Sequence, residues 1–214
     1  MDEEILIIDS NTRNEKIKNF FINNKRKLIV TIIVVFVILI TYFLYGTHID
    51  KKKKQLANQY NLTIINFNSN NNKKTVNELI NIVNKNDETY SPLALYFLID
   101  NNLIQNRDQI NTMFDSLIKK TKLKLEIKNL IIYKKGLYNA DNLSENELID
   151  ILNPIINSES IWKSHALYLI GEYFYSQNEK NKAKEFFQQI ITLENSNSDI
   201  KLKAIKRIKR DFSE

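Results

Sequence analysis

One stretch constrains this chain more than any other. Leu28 to Tyr45 reads LIVTIIVVFVILITYFLY, 18 residues without a charge, a glycine or a proline. As a helix rising ~1.5 Å per residue it covers ~27 Å, close to the ~30 Å hydrocarbon core of a bilayer. Core helices of water-soluble proteins seldom run uncharged for so long. A cleaved signal peptide carries a shorter apolar region of ~7–15 residues and a small-residue cleavage site. Tyr45-Gly46-Thr47-His48 offers no such site, and some 27 residues precede the run. The flanks fit an uncleaved anchor: Lys25-Arg26-Lys27 before it, Lys51 to Lys54 after it, and Tyr42 and Tyr45 at interfacial depth.

Basic residues set the expected orientation. Arg13, Lys16, Lys18, Lys25, Arg26 and Lys27 precede the span, whereas Lys51, Lys52, Lys53 and Lys54 follow it. The positive-inside rule counts Lys and Arg alone, so it puts the N-terminus in the cytoplasm and the larger C-terminal part outside. The margin, six to four, is narrow. The expected layout is an N-terminal segment over 1–27, a span over 28–45, a juxtamembrane helix and linker over 46–72, and a helical domain over 73–214.

Composition removes several function classes. Among 214 residues there are three Gly, two Pro and no Cys. Gly46, Gly136 and Gly171 lie too far apart for the common phosphate-cradling loops. Without cysteine there is no disulfide framework, thiolate nucleophile or Cys-ligated zinc. So few turn formers also disfavour an all-β fold. Asn, Ile and Lys make up roughly two-fifths of the chain, and Asn and Lys stand where other proteins carry Gly, Ala or Arg.

After the span, apolar residues recur at helical spacing. Leu56, Tyr60, Ile64 and Phe67 predict that the anchor helix continues into the domain. Thr75-x-x-Glu78 and Ser144-x-x-Glu147 read as capping boxes, and Ser91-Pro92 as an N-cap followed by a first-turn proline. Further stripes are Ile110, Met113, Phe114, Leu117 and Ile118, then Leu123, Ile127, Leu130 and Ile131. The next carries Leu148, Leu152, Ile155 and Ile156, with Pro154 placed to kink or shorten it. Trp162–Tyr175 and Lys182–Leu193 form another pair, and a last helix over 198–212 turns Leu202, Ile205 and Ile208 inward. Only Lys122–Ile127 alternates with a period of two, and it has no partner strand, so it reads as helix. The fold class is all-α.

The helices pair. Phe114, Leu152 and Phe187 sit centrally in successive second helices, about 38 and about 35 residues apart, near the ~34-residue tetratricopeptide period. Leu167, Ile170-Gly171 and Phe174, then Ala183, Phe187 and Ile190, resemble the two helices of that repeat. Asn178 stands at the turn position usually held by Gly, and the two earlier units show the apolar pattern without the small residues. The reading is an α-solenoid of about three degenerate helix pairs with a terminal capping helix. A non-repeating helical bundle is the alternative.

The whole arrangement resembles the ancillary SecYEG translocon subunit family. Leu152-Asn153-Pro154-Ile155-Ile156, Ser160-Ile161-Trp162-Lys163-Ser164-His165-Ala166 and the closing Lys201-Leu202-Lys203-Ala204 carry the similarity at residue level. These are bacterial inner-membrane proteins with one span and a tetratricopeptide-like domain in the periplasm. The resemblance implies association with the Sec translocon and with periplasmic chaperones or exported polypeptide. The competing readings are a scaffold for another envelope assembly or division complex, and a cytoplasm-facing regulatory module if the topology is inverted.

Catalytic patterns are missing. His48 and His165 are the only histidines, far apart and outside any metal-ligand spacing. No cofactor, metal, nucleic acid or small-molecule substrate is expected, and the chain reads as non-enzymatic. The candidate binding surface is one helical face, His165, Tyr168, Glu172 and Tyr175, offset from the core face of Leu167, Ile170, Gly171 and Phe174. In tetratricopeptide proteins that offset face lines a groove for peptides, and aromatic anchors dominate protein interfaces. The alternative is packing under a neighbouring helix. Lys51, Lys52, Lys53 and Lys54 form a second feature, placed to meet anionic headgroups. The basic last helix reads as a polar cap on the stack, with contact to nucleic acid or an acidic partner as the alternative.

Overall fold

A computed structural model describes residues 2–68 and 72–212; residues 69–71 of the anticipated linker lie outside the described residues. Every regular element among the described residues is helical: α1 (Asp2–Ile65), α2 (Lys73–Asn84), α3 (Tyr90–Asp100), α4 (Arg107–Lys120), α5 (Leu125–Asn139), α6 (Glu145–Ile156), α7 (Lys163–Ser176), α8 (Lys180–Thr192) and α9 (Ser198–Asp211). A 3-10 turn, Ala140–Asn142, links α5 to α6. The chain divides into two compact units, Met1–Leu56 and Ala57–Glu214.

The first unit is most of α1. From Asn14 onward this helix contains an 18-residue window of mean hydropathy 2.9, none of it buried by the rest of the chain. It is therefore not the core helix of a globular fold. Ile29 to Tyr45 leave their apolar side chains open along the helix. Among the described residues, one helix is long and apolar enough to cross a membrane.

The second unit begins with the last turns of α1. Tyr60 packs against Tyr90, ring centroids 5.7 Å apart, and the buried hydroxyl of Thr63 lies 2.9 Å from Glu78 Oε2. That contact explains why the first anticipated capping box does not form. α2 starts at Lys73, so Thr75 is a buried first-turn residue, and Glu78 bonds to a tertiary partner. The α3 start is also displaced. Ser91 lies inside the helix, fully buried, with its hydroxyl donating to the Ile82 carbonyl at 2.6 Å. Asp87 does the capping, its Oδ1 accepting from the amides of Thr89 and Tyr90.

Ser144 does form its capping box, with Glu147 Oε2 2.9 Å from the Ser144 amide. Pro154 neither ends nor displaces α6, which runs two residues further to Ile156. It sits on the exposed face, where the carbonyl that loses its donor can turn to water. The Lys122–Ile127 segment is only half helix. Thr121 to Lys124 form the α4–α5 link, with Lys124 extended at ψ 148°, and α5 begins at Leu125.

Successive helices pack on one another along the chain, with α7 most extensively engaged by α8 and also touched by α9. The largest core gathers Leu148, Leu152, Ile155, Ala166, Leu167, Ile170, Phe174, Ala183, Phe187 and Ile190 from α6, α7 and α8. Two glycines allow the closest approaches. A β-carbon on Gly136 would fall 2.8 Å from Leu152 Cδ2. At the corresponding place 35 residues later, one on Gly171 would fall 2.7 Å from Phe187 Cε1. The second helix pair thus has a small residue that the spacing argument did not credit to it.

The turns use asparagine where glycine is usual. Asn86, Asn102 and Asn178 have φ of 52°, 50° and 63°, a left-handed conformation that Asn tolerates better than most side chains. The last helix is rotated only partly from the anticipated register. Ile200 and Ala204 are buried and Ile205 and Ile208 half-buried, while Leu202 is 55% exposed. Arg207 and Asp211 share the inward face and form ion pairs there, which fixes that rotation.

Candidate partner-binding face

The four α7 side chains singled out above lie on one face, and all four are half-buried. They meet three different surroundings. His165 belongs to an aromatic box built with α5: Trp162 lies 5.0 Å from it and Tyr133 5.8 Å, centroid to centroid, and Tyr133 and Trp162 stack on each other at 6.0 Å. Burial first, and then the charge of Lys203, hold the imidazole below its ordinary pKa, so it is neutral near pH 7. Tyr168 packs on Phe187 at 5.4 Å. Its burial and the Glu172 carboxylate beside it push the phenol up to about 12.

Glu172 is held by α9. Arg207 donates through Nε to Glu172 Oε1 at 2.7 Å and through a second nitrogen to Oε2. The same guanidinium donates to Asp211 Oδ2 at 2.8 Å and lies 4.4 Å above the ring of Tyr175. Burial alone would raise the Glu172 carboxyl, but the bonds from Arg207 and Tyr168 and the Arg207 charge outweigh it and lower its pKa. Phe212 meets Tyr175 edge-on at 5.9 Å. Tyr175 and Glu172 are thus engaged by the terminal helix, whereas Tyr168 and Glu172 still line an open concavity.

That concavity, about 760 Å³, lies between α7 and α9, with Lys203, Lys206, Arg207, Lys209 and Arg210 completing its wall. A second, about 400 Å³, lies between α3 and α5 and is mainly apolar: Pro92, Leu93, Tyr96, Leu123, Ile127 and Leu130 line it. Lys134 sits 4.5 Å over the Tyr96 ring, and the Tyr96 hydroxyl has no hydrogen-bond partner among the described residues. Sequence reading missed this second hollow. Helical spacing assigned Ile127 and Leu130 to a core stripe, whereas Ile127 is exposed and lines this hollow.

Lys51, Lys52, Lys53 and Lys54 are exposed on α1, in the other unit. No cluster of His, Asp and Glu among the described residues has the geometry to hold a metal ion. Comparison of the chain with protein-family models, curated proteins and solved structures finds no match.

Proposed function

We propose that this chain is a non-catalytic, membrane-anchored adaptor that holds a partner-binding helical domain beside the Sec translocon. In this reading it sits in a bacterial inner membrane by one helix, with its N-terminus in the cytoplasm and its domain in the periplasm. There the domain meets periplasmic chaperones or exported polypeptide. The observation that carries the proposal is the pairing of an uncovered apolar helix with a helical domain whose helices leave concave faces. An apolar surface of that length needs lipid, and a tethered domain with hollows is suited to binding.

Two further observations support the finer parts. The matched close approaches, Gly136 to Leu152 and Gly171 to Phe187, recur at a spacing of 35 residues and favour a tetratricopeptide-like solenoid over an irregular bundle. The resemblance to the ancillary SecYEG subunits supplies the partner, and the six-to-four excess of basic residues before the span supplies the orientation.

The first test is topology, with a compartment-sensitive reporter fused after Glu214. Export of the reporter is the expected result, and a cytoplasmic reporter overturns the adaptor reading. Crosslinking in cells then decides the partner. Recovery of SecY or a periplasmic chaperone is expected; complexes containing neither count against the translocon and leave an envelope scaffold in its place.

A further inference from the structure

We infer that the concavity between α7 and α9 is a docking groove for an acidic segment of a polypeptide partner. This inference rests on the adaptor reading and names the chemistry of what the adaptor holds. α9 has six Lys and Arg against two Asp, a local excess of four positive charges in a chain whose formal net charge is +6. The groove wall draws on five of those cations, Lys203, Lys206, Arg207, Lys209 and Arg210, and faces one acid, Glu172.

The charges divide into two layers. Arg207 and Arg210 are held by Glu172 and Asp211, which fixes α9 against α7. Lys203 and Lys206 form no ion pair among the described residues, and both are exposed. They are therefore available to an incoming anion without breaking the clasp beneath them. A terminal helix needs only a polar outer face for solubility, which mixed charges satisfy. A one-signed row over a hollow exceeds that need, and focuses positive potential where a ligand would lie.

The shape favours a peptide. Lys203, Lys206 and Arg210 follow one face over seven residues, a rise of ~10 Å. An extended chain offers side chains on one side every ~6.8 Å, so two or three acidic residues match this row. The hollow also presents the Tyr168 ring beside the cations, a surface for a side chain or backbone. A flat bilayer cannot enter a concavity, and duplex nucleic acid needs a longer cationic track than one such row.

The test uses the full chain in nanodiscs of zwitterionic lipid and a fluorescein-labelled Glu-rich peptide, read by anisotropy at low and physiological salt. The variant is the pair Lys203→Glu and Lys206→Glu, two exposed positions outside the clasp. We expect affinity for the Glu-rich peptide to fall at least about tenfold, and a Lys-rich peptide to bind the variant better than the parent. Equal binding of the Glu-rich peptide by both proteins overturns the inference. So does a parent that prefers a single-stranded oligonucleotide, or anionic vesicles, over that peptide. Crosslinking to SecY by the same variant separates the two claims. Retained crosslinks with lost peptide binding confine the groove to the partner's acidic segment. Peptide binding by a parent protein that crosslinks neither SecY nor a chaperone upholds the groove and removes the translocon.

Discussion

The ring of Phe187 occupies the space that a side chain on Gly171 would need, since a β-carbon there falls 2.7 Å from Cε1 and 3.0 Å from Cδ1. Phe187 is fully buried between α7 and α8 and packs on Tyr168 and Phe212 as well. It has nowhere to retreat. Gly171→Ala should therefore destabilise the domain, an overpacking cost of about 1–3 kcal/mol less about 1 kcal/mol of helix propensity gained. Gly136 makes the comparison informative. Its obstacle is the Cδ2 methyl of Leu152, the end of a flexible side chain, so Gly136→Ala should cost less. Urea denaturation of both variants checks the order; a Gly136 variant that loses more stability than the Gly171 variant contradicts it.

The Arg207–Glu172–Asp211 group should hold α9 in place. Replacing Arg207 by Gln, or Glu172 by Gln, should each cost about 1–3 kcal/mol, because a half-buried charge loses charge-assisted hydrogen bonds. The double variant should cost less than the sum of the two. Acid should act on the same contact. The hydrogen bond from Arg210, followed by that from Arg207, lowers the Asp211 carboxyl from 3.8 to about 2, and Glu172 is lowered as well. Carboxyls with depressed folded values contribute fully above their unfolded pKa and lose that contribution as pH falls through the folded one. Protection of the α9 amides against hydrogen exchange, taken relative to the intrinsic rate at each pH, should accordingly fall between about pH 4 and pH 2. Asp211→Asn should flatten part of that response.

His165 should give a milder pH dependence at higher pH. Its folded pKa is below 6.5, so the unfolded chain takes up the proton first as pH falls. Stability from this residue is complete above about pH 6.5 and declines on acidification below it. Trp162, the one tryptophan, packs against His165 with the rings tilted at 55° and should report the change by fluorescence. His165→Phe preserves an aromatic ring in the box and should remove this part of the pH response. An unchanged slope of denaturation midpoint against pH in that variant refutes the assignment.

Asn178 should tolerate glycine and resist alanine. At φ 63° a β-carbon is strained by about 1–2 kcal/mol, and Asn lowers that cost where Ala cannot. Asn178→Ala should destabilise the α7–α8 hairpin by about 1 kcal/mol relative to Asn178→Gly. Thermal denaturation of the pair checks it.

Much of this architecture can be read from the residues, and the failures share a cause. Leu28–Tyr45 announces a long apolar helix that the rest of the chain leaves uncovered, and the stripes through Ile110–Ile118 and Leu148–Ile156 locate α4 and α6. The Ser144 capping box needs only neighbours in sequence, so its pattern was sufficient. Thr75, Ser91 and Leu202 misled because partners distant in sequence decide their roles: Thr63 for Glu78, the Ile82 carbonyl for Ser91, Glu172 for the rotation of α9. Gly136 escaped notice because Leu152, not an aromatic ring, fills the space opposite it. On the candidate face, helical spacing correctly groups the four α7 residues on one side. It does not reveal that α9 reaches back to two of them, leaving Tyr168 and Glu172 to border the hollow.

The α9 clasp has a consequence for biosynthesis. The apolar residues 28–45 leave the ribosome before any part of the helical domain. From α3 onward each helix packs on the one made just before it, so assembly can keep pace with elongation. One face of α7 is completed late, since Glu172 and Tyr175 wait for Arg207, which emerges 35 and 32 residues after them. During that interval a carboxylate and an aromatic ring of the newest helix pair face outward without their closing helix.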